Sequence, residues 1–339
     1  MTKQQGHLPL SDMSSFIQTL GDHVRESLGN PARLRRFLGD RPDFKVDLLA
    51  PEDNIDMGRV PRWHHLTSAS AQRRRADRVE LMGWRMQGGQ MSSFIQYDAA
   101  LDNLVRRTTV HAWSCDLQDV HGFAHSKSDL EKFRSTDEMV KANSQEMIGD
   151  VSISGLRKNL AHDEIRLLRE RPTDWLQVHQ WDGRMFVVND GGSHHLAAAK
   201  YIAGRIGAPV PLRAPLHYYS IDPNAVALLR GDYDIYLVKD EPELANAFFD
   251  AMQSYGATWL WHDLPQPYEK ARAVFLPRAE DRSMRVSQAF REAGFAELGQ
   301  HLEDVARSGM PEVLQRRLHS QCQAEQDEET EADSDAPRA

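Results

Sequence analysis

The residues best suited to chemistry form one run, 190–195, with the sequence Asp-Gly-Gly-Ser-His-His. An apolar, β-branched segment precedes the run and an alanine-rich segment follows it, a pattern that predicts a strand, a glycine turn and a helix. The first N–H groups of such a helix and the positive end of its dipole attract an anion. Because the two glycines let a phosphate approach the backbone closely, the run predicts a phosphate-binding turn.

Ligand binding is predicted for five residues in and beside this run. They supply backbone N–H groups, a hydroxyl, an imidazole and a cation: Gly191, Gly192, Ser193, His194 and Lys200. Arg184 and Arg205 are alternative sources of the cation. No metal ligand is assigned, because the i, i+4 pair His121 and His125 has no accompanying cysteine or carboxylate pattern.

Catalysis is predicted for three residues of the same run: Asp190, Ser193 and His195. Asp190 is the candidate general base for phosphoryl transfer or hydrolysis. Asp163 and Glu164 are nearby acids that more simply interact with the dipole of a predicted helix. A structural interpretation is equally compatible with the sequence: Ser193 caps the helix and Asp190 bonds its own turn.

Residues 186–200 as a whole resemble the signature of the ParB/sulfiredoxin superfamily. In that signature a strand ends in a glycine turn, followed by a His-Arg or Arg-Arg pair and an Ala-Ala-Lys helix. Residues 192–200 align without a gap with the Gly-Glu-Arg-Arg motif of ParB proteins, and 191–195 match the Gly-Gly-Cys-His-Arg motif of sulfiredoxins. The resemblance covers about residues 150–221 and implies an α+β, mixed-sheet domain with additional helices.

The resemblance also implies a ligand. Members of the superfamily bind nucleotides through this motif, so ATP or CTP, with Mg²⁺, is the expected cofactor. They include DNA-partitioning clamps, nucleases, sulfinate reductases and small-molecule kinases, so the fold leaves the activity open. We expect a nucleotide- or phosphate-binding protein, either a phosphotransferase or a nucleotide hydrolase. The alternatives are a non-catalytic nucleotide- or DNA-binding regulator and a nuclease.

Three departures from the pattern of the superfamily narrow the range of expected activities. Ser193 stands where sulfiredoxins have cysteine, and a hydroxyl cannot supply a low-pKa thiolate, so sulfiredoxin activity is not expected. His195 replaces the arginine that grips phosphate, and a neutral imidazole lacks the guanidinium fork. Residues 234–276 show a mixed strand and helix pattern where ParB clamps carry a helix-turn-helix, so we do not expect such a clamp.

The helices and strands that position the turn are predicted from the pattern of apolar residues and from the glycines and prolines that end each element. Before the turn we expect a helix over 162–171 and a strand over 176–181, with Asp182-Gly183 forming a hairpin to the strand 184–189. After the turn we expect a helix over 196–206. A strand over 210–221 follows, which its two prolines place at a sheet edge or a bulge.

The chain as a whole is expected to fold into consecutive regions. They are an arginine-rich N-terminal region (1–149), the ParB/sulfiredoxin-like α+β domain (150–280), C-terminal helices (281–320) and a disordered acidic tail (321–339). The tail holds seven acids and one arginine, so it carries −6 of the net charge of −9. Two arginine clusters lie in the first region: Arg33, Arg35, Arg36 and Arg41, and Arg73, Arg74, Arg75 and Arg78. We expect them to form surface salt bridges, with only weak DNA binding.

Composition sets the general class. A hydrophobic fraction of 40% and a charged fraction of 27% are typical of a globular protein. The sequence has no apolar stretch of membrane-spanning length and only two cysteines, Cys115 and Cys322, so a cytoplasmic protein is expected, with no membrane partner. Trp259, Trp261 and His262 alternate as in a strand and are expected in the core, or on a base-stacking surface.

Deleting the nineteen residues from Gln321 should leave the thermal unfolding midpoint unchanged, because this segment offers almost no apolar surface to bury. Differential scanning calorimetry of the full-length and shortened chains measures this. A clearly lower midpoint for the shortened chain would mean that the tail docks on the folded body.

Overall fold

The computed structural model describes residues 20–66, 79–309 and Gln315. Its strands are β1 (Glu80–Gln87), β2 (Gln90–Tyr97), β3 (Val105–Asp116), β4 (Val120–Phe123), β5 (Trp175–His179), β6 (Met185–Val188), β7 (Pro211–Ile221), β8 (Tyr233–Lys239), β9 (Trp259–Asp263) and β10 (Ala271–Pro277). Helices with both ends in the described part are α1 (Ala32–Asp40), α2 (Ala99–Asp102), α3 (Thr136–Asn143), α4 (Ile153–Leu160), α5 (Ser193–Ile206), α6 (Pro223–Asp232), α7 (Pro242–Tyr255), α8 (Asp281–Glu292) and α9 (Leu298–Ser308). The predicted α+β class is confirmed.

The chain forms two compact units, each assembled from separate segments. The first uses described residues within Met1–Leu48, His65–Asn103 and Asn224–Glu303, and the second those within Leu49–His64, Leu104–Pro223 and Asp304–Ala339. This division differs from the consecutive regions expected from the sequence, because the arginine-rich region 1–149 contributes strands to both units.

The first unit is built on an antiparallel sheet with the strand order β2-β1-β9-β10-β8. Its core contains Leu34 of α1, Phe248 of α7 and Phe290 of α8, all buried. Three arginines of the first expected cluster, two in α1 and one directly after it, pair with acids of the same unit: Arg35 with Glu292, Arg36 with Asp22 at 2.6 Å, and Arg41 with Glu243 at 3.1 Å. These contacts are the expected salt bridges.

The second unit contains a mixed sheet with the order β3-β7-β5-β6-β4. β7 pairs with β5 in parallel and β6 with β4 in parallel, whereas β3–β7 and β5–β6 are antiparallel. Helices α3 and α4 pack on α5, whose apolar face adds Leu196 and Ile202 to the core of the unit. The sheet and these helices hold the predicted turn.

Two local predictions about this turn's supports are confirmed. Asp182-Gly183 connects the antiparallel strands β5 and β6, with Gly183 at φ 78°, and the Asp182 carboxylate accepts the N–H of Arg184 at 3.1 Å. Helix α5 ends as predicted at Gly207, which adopts φ 66° in the left-handed region that favours glycine.

The strand 210–221 is expected at a sheet edge or at a bulge, and the structure shows the bulge: β7 lies between β3 and β5 and is not an edge strand. The prolines are accommodated in two ways. Pro211 is the first residue of the strand, and Pro215 lies opposite a bulge in β3, where the register shifts between the pairs Val110–Leu216 and Trp113–Ala214. A bulge removes the local demand for a ladder N–H, which proline lacks.

The helix expected over 162–171 is also wrong. Helix α4 starts nine residues earlier, where the Ser152 hydroxyl accepts the N–H of Gly155 at 3.2 Å. Only the short 3₁₀ turn Arg166–Leu168 falls in the expected range. Helix α3 is capped in the same way by the Ser135 hydroxyl, which accepts the N–H of Glu138.

Several sequence predictions fall on residues outside the described ranges: the second arginine cluster (73–78), Cys322 and the acidic tail. Within the described ranges, none of the helices combines the length and apolar character that crossing a membrane requires.

Replacing Leu216 by alanine should lower the free energy of unfolding by about 2–5 kcal/mol, because this side chain is fully buried at the centre of the mixed sheet. Arg213→Ala, at an exposed position of the same strand, is the control and should change it by less than about 0.5 kcal/mol. Urea unfolding of both variants tests the assignment. Equal losses would contradict the register described for β7.

Candidate functional site

The predicted turn connects β6 to α5 with a geometry that only glycine adopts easily. Gly191 has φ 151° and Gly192 has φ 72°. Gly192 is the N-cap residue, and the fourteen-residue helix begins at Ser193. The first N–H groups of α5 therefore lie directly after the turn, without acceptors inside the helix.

A neighbouring loop leaves no space for a Cβ at Gly192 and comes into ordinary contact distance of one at Gly191. A Cβ on Gly192 would lie 2.8 Å from the backbone oxygen of Glu164, and one on Gly191 would lie 3.4 Å from the Glu164 side chain. The Glu164 carboxylate also accepts the Gly192 N–H at 3.1 Å. The loop 162–168 thus packs directly on the turn, and the turn already holds an anion, the carboxylate of its own chain.

The turn opens into a cleft of about 1040 Å³. Hydroxyls, amides, imidazoles and charged groups predominate in its wall, which is formed by His125, Ser126, Lys127, Ser128, Asp129, Lys132, Phe133, Asn143, Ser144, Glu146, Met147, His162, Glu164, Asp190, Gly191, Gly192, Ser193, His194 and His195. Lys132 pairs with Asp129 at 3.2 Å, whereas Lys127 is exposed and makes no ion pair with a described residue. The volume suits a ligand of nucleotide size.

His194 is held at both ring nitrogens. Its Nε2 lies 3.1 Å from the Ser128 hydroxyl, and its Nδ1 contacts the Ser144 hydroxyl. The Asn143 amide donates to the same Ser128 oxygen at 2.7 Å, which leaves the Ser128 O–H to donate to Nε2. Burial, and then the charge of Lys127, lower the pKa of His194, so the ring is neutral and its nitrogens are engaged by the protein.

His195 is held at one ring nitrogen only. Its Nδ1 lies 3.1 Å from the Asn159 side-chain oxygen. Its ring stacks on that of His162, with centroids 3.6 Å apart and planes 16° from parallel. Burial, and then the neighbouring His162, lower the pKa of His195. The structure thus brings His195 to the cleft as a neutral, oriented imidazole.

Ser193 lies in the cleft wall but is not activated as a nucleophile. Its hydroxyl donates to the Ser126 hydroxyl at 3.0 Å, and Ser126 in turn accepts the N–H of Ser128 at 3.2 Å. Nucleophilic serines require an adjacent base. No imidazole or carboxylate bonds the Ser193 hydroxyl among the described residues.

Asp190 lies at the mouth of the cleft and forms an ion pair with Arg166 at 2.9 Å. The hydrogen bond and charge of Arg166 lower the pKa of Asp190, which makes this carboxylate a weaker base. Behind the pair, Asp174 is buried, and burial raises its pKa while the backbone N–H groups of Arg166 and Asp190 oppose that rise. The loop 162–168 is therefore tied to the turn a second time.

The predicted cations do not line the cleft. The Lys200 ammonium donates to the Val120 carbonyl, and burial lowers its pKa. Arg184 pairs with Asp182 at 2.7 Å and Arg205 with Asp137 at 3.3 Å. The structure instead places Lys127 and Lys132 in the wall, and Lys132 is paired with Asp129.

The histidines considered for a metal are not on one helix. His121 lies in β4, and His125 follows that strand, where its Nδ1 contacts the Asn189 carbonyl at 2.9 Å. Across the described ranges no group of three or more His, Cys, Asp or Glu side chains is arranged to hold a metal ion.

Sequence reasoning missed several residues of the site, above all His162, Asn159 and the serines Ser126, Ser128 and Ser144. Their contacts to the turn span 33 to 67 residues of sequence, as in the pairs His162–His195 and Ser126–Ser193. Contacts between residues so far apart in the sequence leave no pattern in the local sequence. Glu164 was noticed, but as a partner of a helix that does not form.

The aromatic pair Trp259 and Trp261 belongs to the first unit. Trp259 is buried against Phe248, whereas Trp261 carries the Arg272 guanidinium 3.8 Å from its ring centre. Both tryptophans border a small cavity of about 210 Å³. The core position expected for these aromatics is confirmed for Trp259.

Residues 110–310 match the model of a family described as a family of unknown function (DUF6685), and the chain belongs to this family. The matched range includes the turn, the loop 162–168 and the whole cleft wall. No curated protein and no solved structure matches the chain.

Gly192→Ala should destabilise the protein more than Gly207→Ala. Both positions require a left-handed backbone, which costs a side chain about 1–2 kcal/mol. A Cβ at Gly192 would also meet the Glu164 backbone, which adds about 1–3 kcal/mol, whereas the space around Gly207 is open. Urea unfolding compares the two variants. Equal losses would contradict the close contact between the turn and the loop.

Proposed function

We propose that the cleft binds a phosphate-bearing ligand, a nucleotide such as ATP or CTP with Mg²⁺, on a domain of the ParB/sulfiredoxin-like type. The observation that carries the proposal is the position of the turn. The strand–Gly-Gly–helix connection opens into a polar cleft of about 1040 Å³. Backbone N–H groups at a helix N-terminus are a common phosphate site.

The Glu164 contact supports an anion at this position. A carboxylate oxygen already accepts the Gly192 N–H at 3.1 Å, so the turn is arranged to hold negative charge. A phosphate would replace this carboxylate or use the adjacent N–H groups of α5. A ligand that replaces the Glu164 carboxylate should carry more negative charge than one carboxylate, and a nucleoside triphosphate does.

The remaining wall supports a nucleotide over inorganic phosphate alone. Lys127 adds a cation without an acid partner in the described ranges, and Ser126 and Asn143 add further polar side chains to the wall. The cleft is large for a single phosphate, whereas a base and ribose would occupy the rest of it.

For the activity we propose phosphoryl transfer or nucleotide hydrolysis, because His195 lies in the wall as a neutral imidazole with one nitrogen uncommitted. A second candidate, a non-catalytic nucleotide-binding regulator, is favoured by Asp190 and Ser193, whose side chains are engaged by Arg166 and Ser126. DNA remains a proposed weak partner, since Arg35 and Arg36 of α1 and the following Arg41 are paired with acids.

Isothermal titration with ATP and with CTP, with and without Mg²⁺, tests the site. We expect Gly192→Asp to abolish binding, because its carboxylate would occupy the turn and repel phosphate. Gly207→Asp is the matched control, with the same charge and a left-handed backbone at the other end of α5. It should bind as the wild type does.

The outcome that contradicts the site is equal nucleotide affinity in the wild type and in a folded Gly192→Asp variant. Circular dichroism establishes that the variant is folded. A Lys127→Ala variant, whose exposed side chain is not needed for packing, should weaken binding several-fold and provides the same test without a change in the turn.

A further inference from the structure

We propose that Nε2 of His195 is the general base of this cleft and accepts the proton of a water that attacks a phosphoanhydride. The inference rests on the proposed nucleotide site and assigns its chemistry to one atom. It is based on the orientation of the His195 ring, on the stacking of that ring on His162, and on the hydrogen bonds that already engage the other possible bases.

The Asn159 amide fixes which nitrogen of His195 carries the proton. Asn159 Nδ2 donates to the carbonyls of Met147 and Gly155, both at 3.0 Å, so its Oδ1 faces His195 as an acceptor. Nδ1 of His195 must therefore donate, at 3.1 Å. The lone pair of a neutral ring is then on Nε2.

Nε2 is also the nitrogen left for the ligand. Asn159 is buried and does not border the cleft, whereas His195 does, so the ring edge opposite Nδ1 faces away from Asn159. No residue in the described part of the chain forms a hydrogen bond with Nε2. A base needs such an unoccupied lone pair within reach of the reacting proton.

The His162 ring fixes the plane of His195. The two rings stack at 3.6 Å, and His162 is itself held because its Nδ1 accepts the Glu164 N–H at 3.3 Å. Since Glu164 packs on Gly192, the same loop positions the turn and the proposed base. A base and a phosphate site held by one rigid support retain their distance.

Burial, and then the neighbouring charges, disfavour the protonated form of His195. Burial and His162 lower its pKa, and His194 acts in the same direction, whereas Glu164 and Glu146 oppose them; the net pKa lies below 6.5. A base works in its unprotonated form. The rate of hydrolysis should therefore rise as the pH increases through the pKa of His195, below 6.5, and should be constant at higher pH.

The neighbouring groups are poorer candidates. His194 uses both ring nitrogens for Ser128 and Ser144, and Asp190 is held by Arg166, whose hydrogen bond lowers the pKa of that carboxyl.

The proposed hydrolysis forms one bond, breaks one bond and transfers one proton. A water oxygen forms a bond to the terminal phosphorus, its proton moves to Nε2, and the bridging P–O bond breaks with its electron pair on the leaving diphosphate.

Diethyl pyrocarbonate, which acylates unprotonated imidazole, tests the geometry without any ligand. Modification of each histidine in the full-length protein is followed by mass spectrometry across pH. We expect His195 to react about tenfold faster than His194, because two hydrogen bonds protect the latter ring. Similar rates, or a His195 midpoint at or above pH 6.5, would overturn the assignment.

Asn159→Asp tests the positioning role of the amide. A carboxylate in place of the amide stabilises the imidazolium, so the midpoint for His195 modification should rise by about one pH unit or more. An unchanged midpoint in this folded variant would show that Asn159 does not set the state of His195, and would contradict the proposed orientation.

The closing experiment separates binding from chemistry. Release of inorganic phosphate from ATP or CTP with Mg²⁺ is compared with nucleotide affinity in the wild type and in His195→Gln. We expect His195→Gln to keep its affinity within a few-fold and to lose about 100-fold or more in rate. Absence of binding to the wild type would reject the proposed function itself. Binding without phosphate release, or an unchanged rate in His195→Gln, would reject His195 as the base.

Discussion

The close contact between the Glu164 backbone and Gly192 determines the rest of the site. It leaves no space for a Cβ at Gly192, brings the Glu164 carboxylate to the N–H of that glycine and places the preceding His162 under the ring of His195. If the loop 162–168 moved away, the turn would lose its bound anion and His195 its stacking partner. Glycine is therefore required here by the protein's own backbone before any ligand is considered.

In the second unit, the residues that support the cleft are different from the residues that line it. The mixed sheet and the helices α3 and α4 fix α5 through a large apolar core. Many of the polar side chains that line the cleft are joined by hydrogen bonds, as in the pairs Ser193–Ser126 and His194–Ser128. In the proposed function, the backbone N–H groups after Gly192 and the Lys127 ammonium bind the anion, and Nε2 of His195 acts as the base.

Local signals in the sequence were sufficient for the turn itself. The Asp182-Gly183 hairpin, the Gly-Gly run and the alanine-rich α5 each depend on residues adjacent in sequence. The hairpin and the turn form as predicted, and α5 starts at Ser193, three residues before the predicted start. The helix expected over 162–171 does not form, and its residue Glu164 contacts Gly192 instead. The stacked pair His162–His195 and the interior position of β7 depend on contacts between distant segments, which composition and periodicity do not encode.

The most direct test of the nucleotide site is an NMR titration of protein labelled with ¹⁵N only in glycine. The chain has 21 glycines, and Gly191, Gly192 and Gly207 are assigned by single substitution. On addition of ATP with Mg²⁺, we predict large amide shifts for Gly191 and Gly192 and none for Gly207 at the far end of α5. Saturable binding that leaves the amides of Gly191 and Gly192 unchanged would contradict the account.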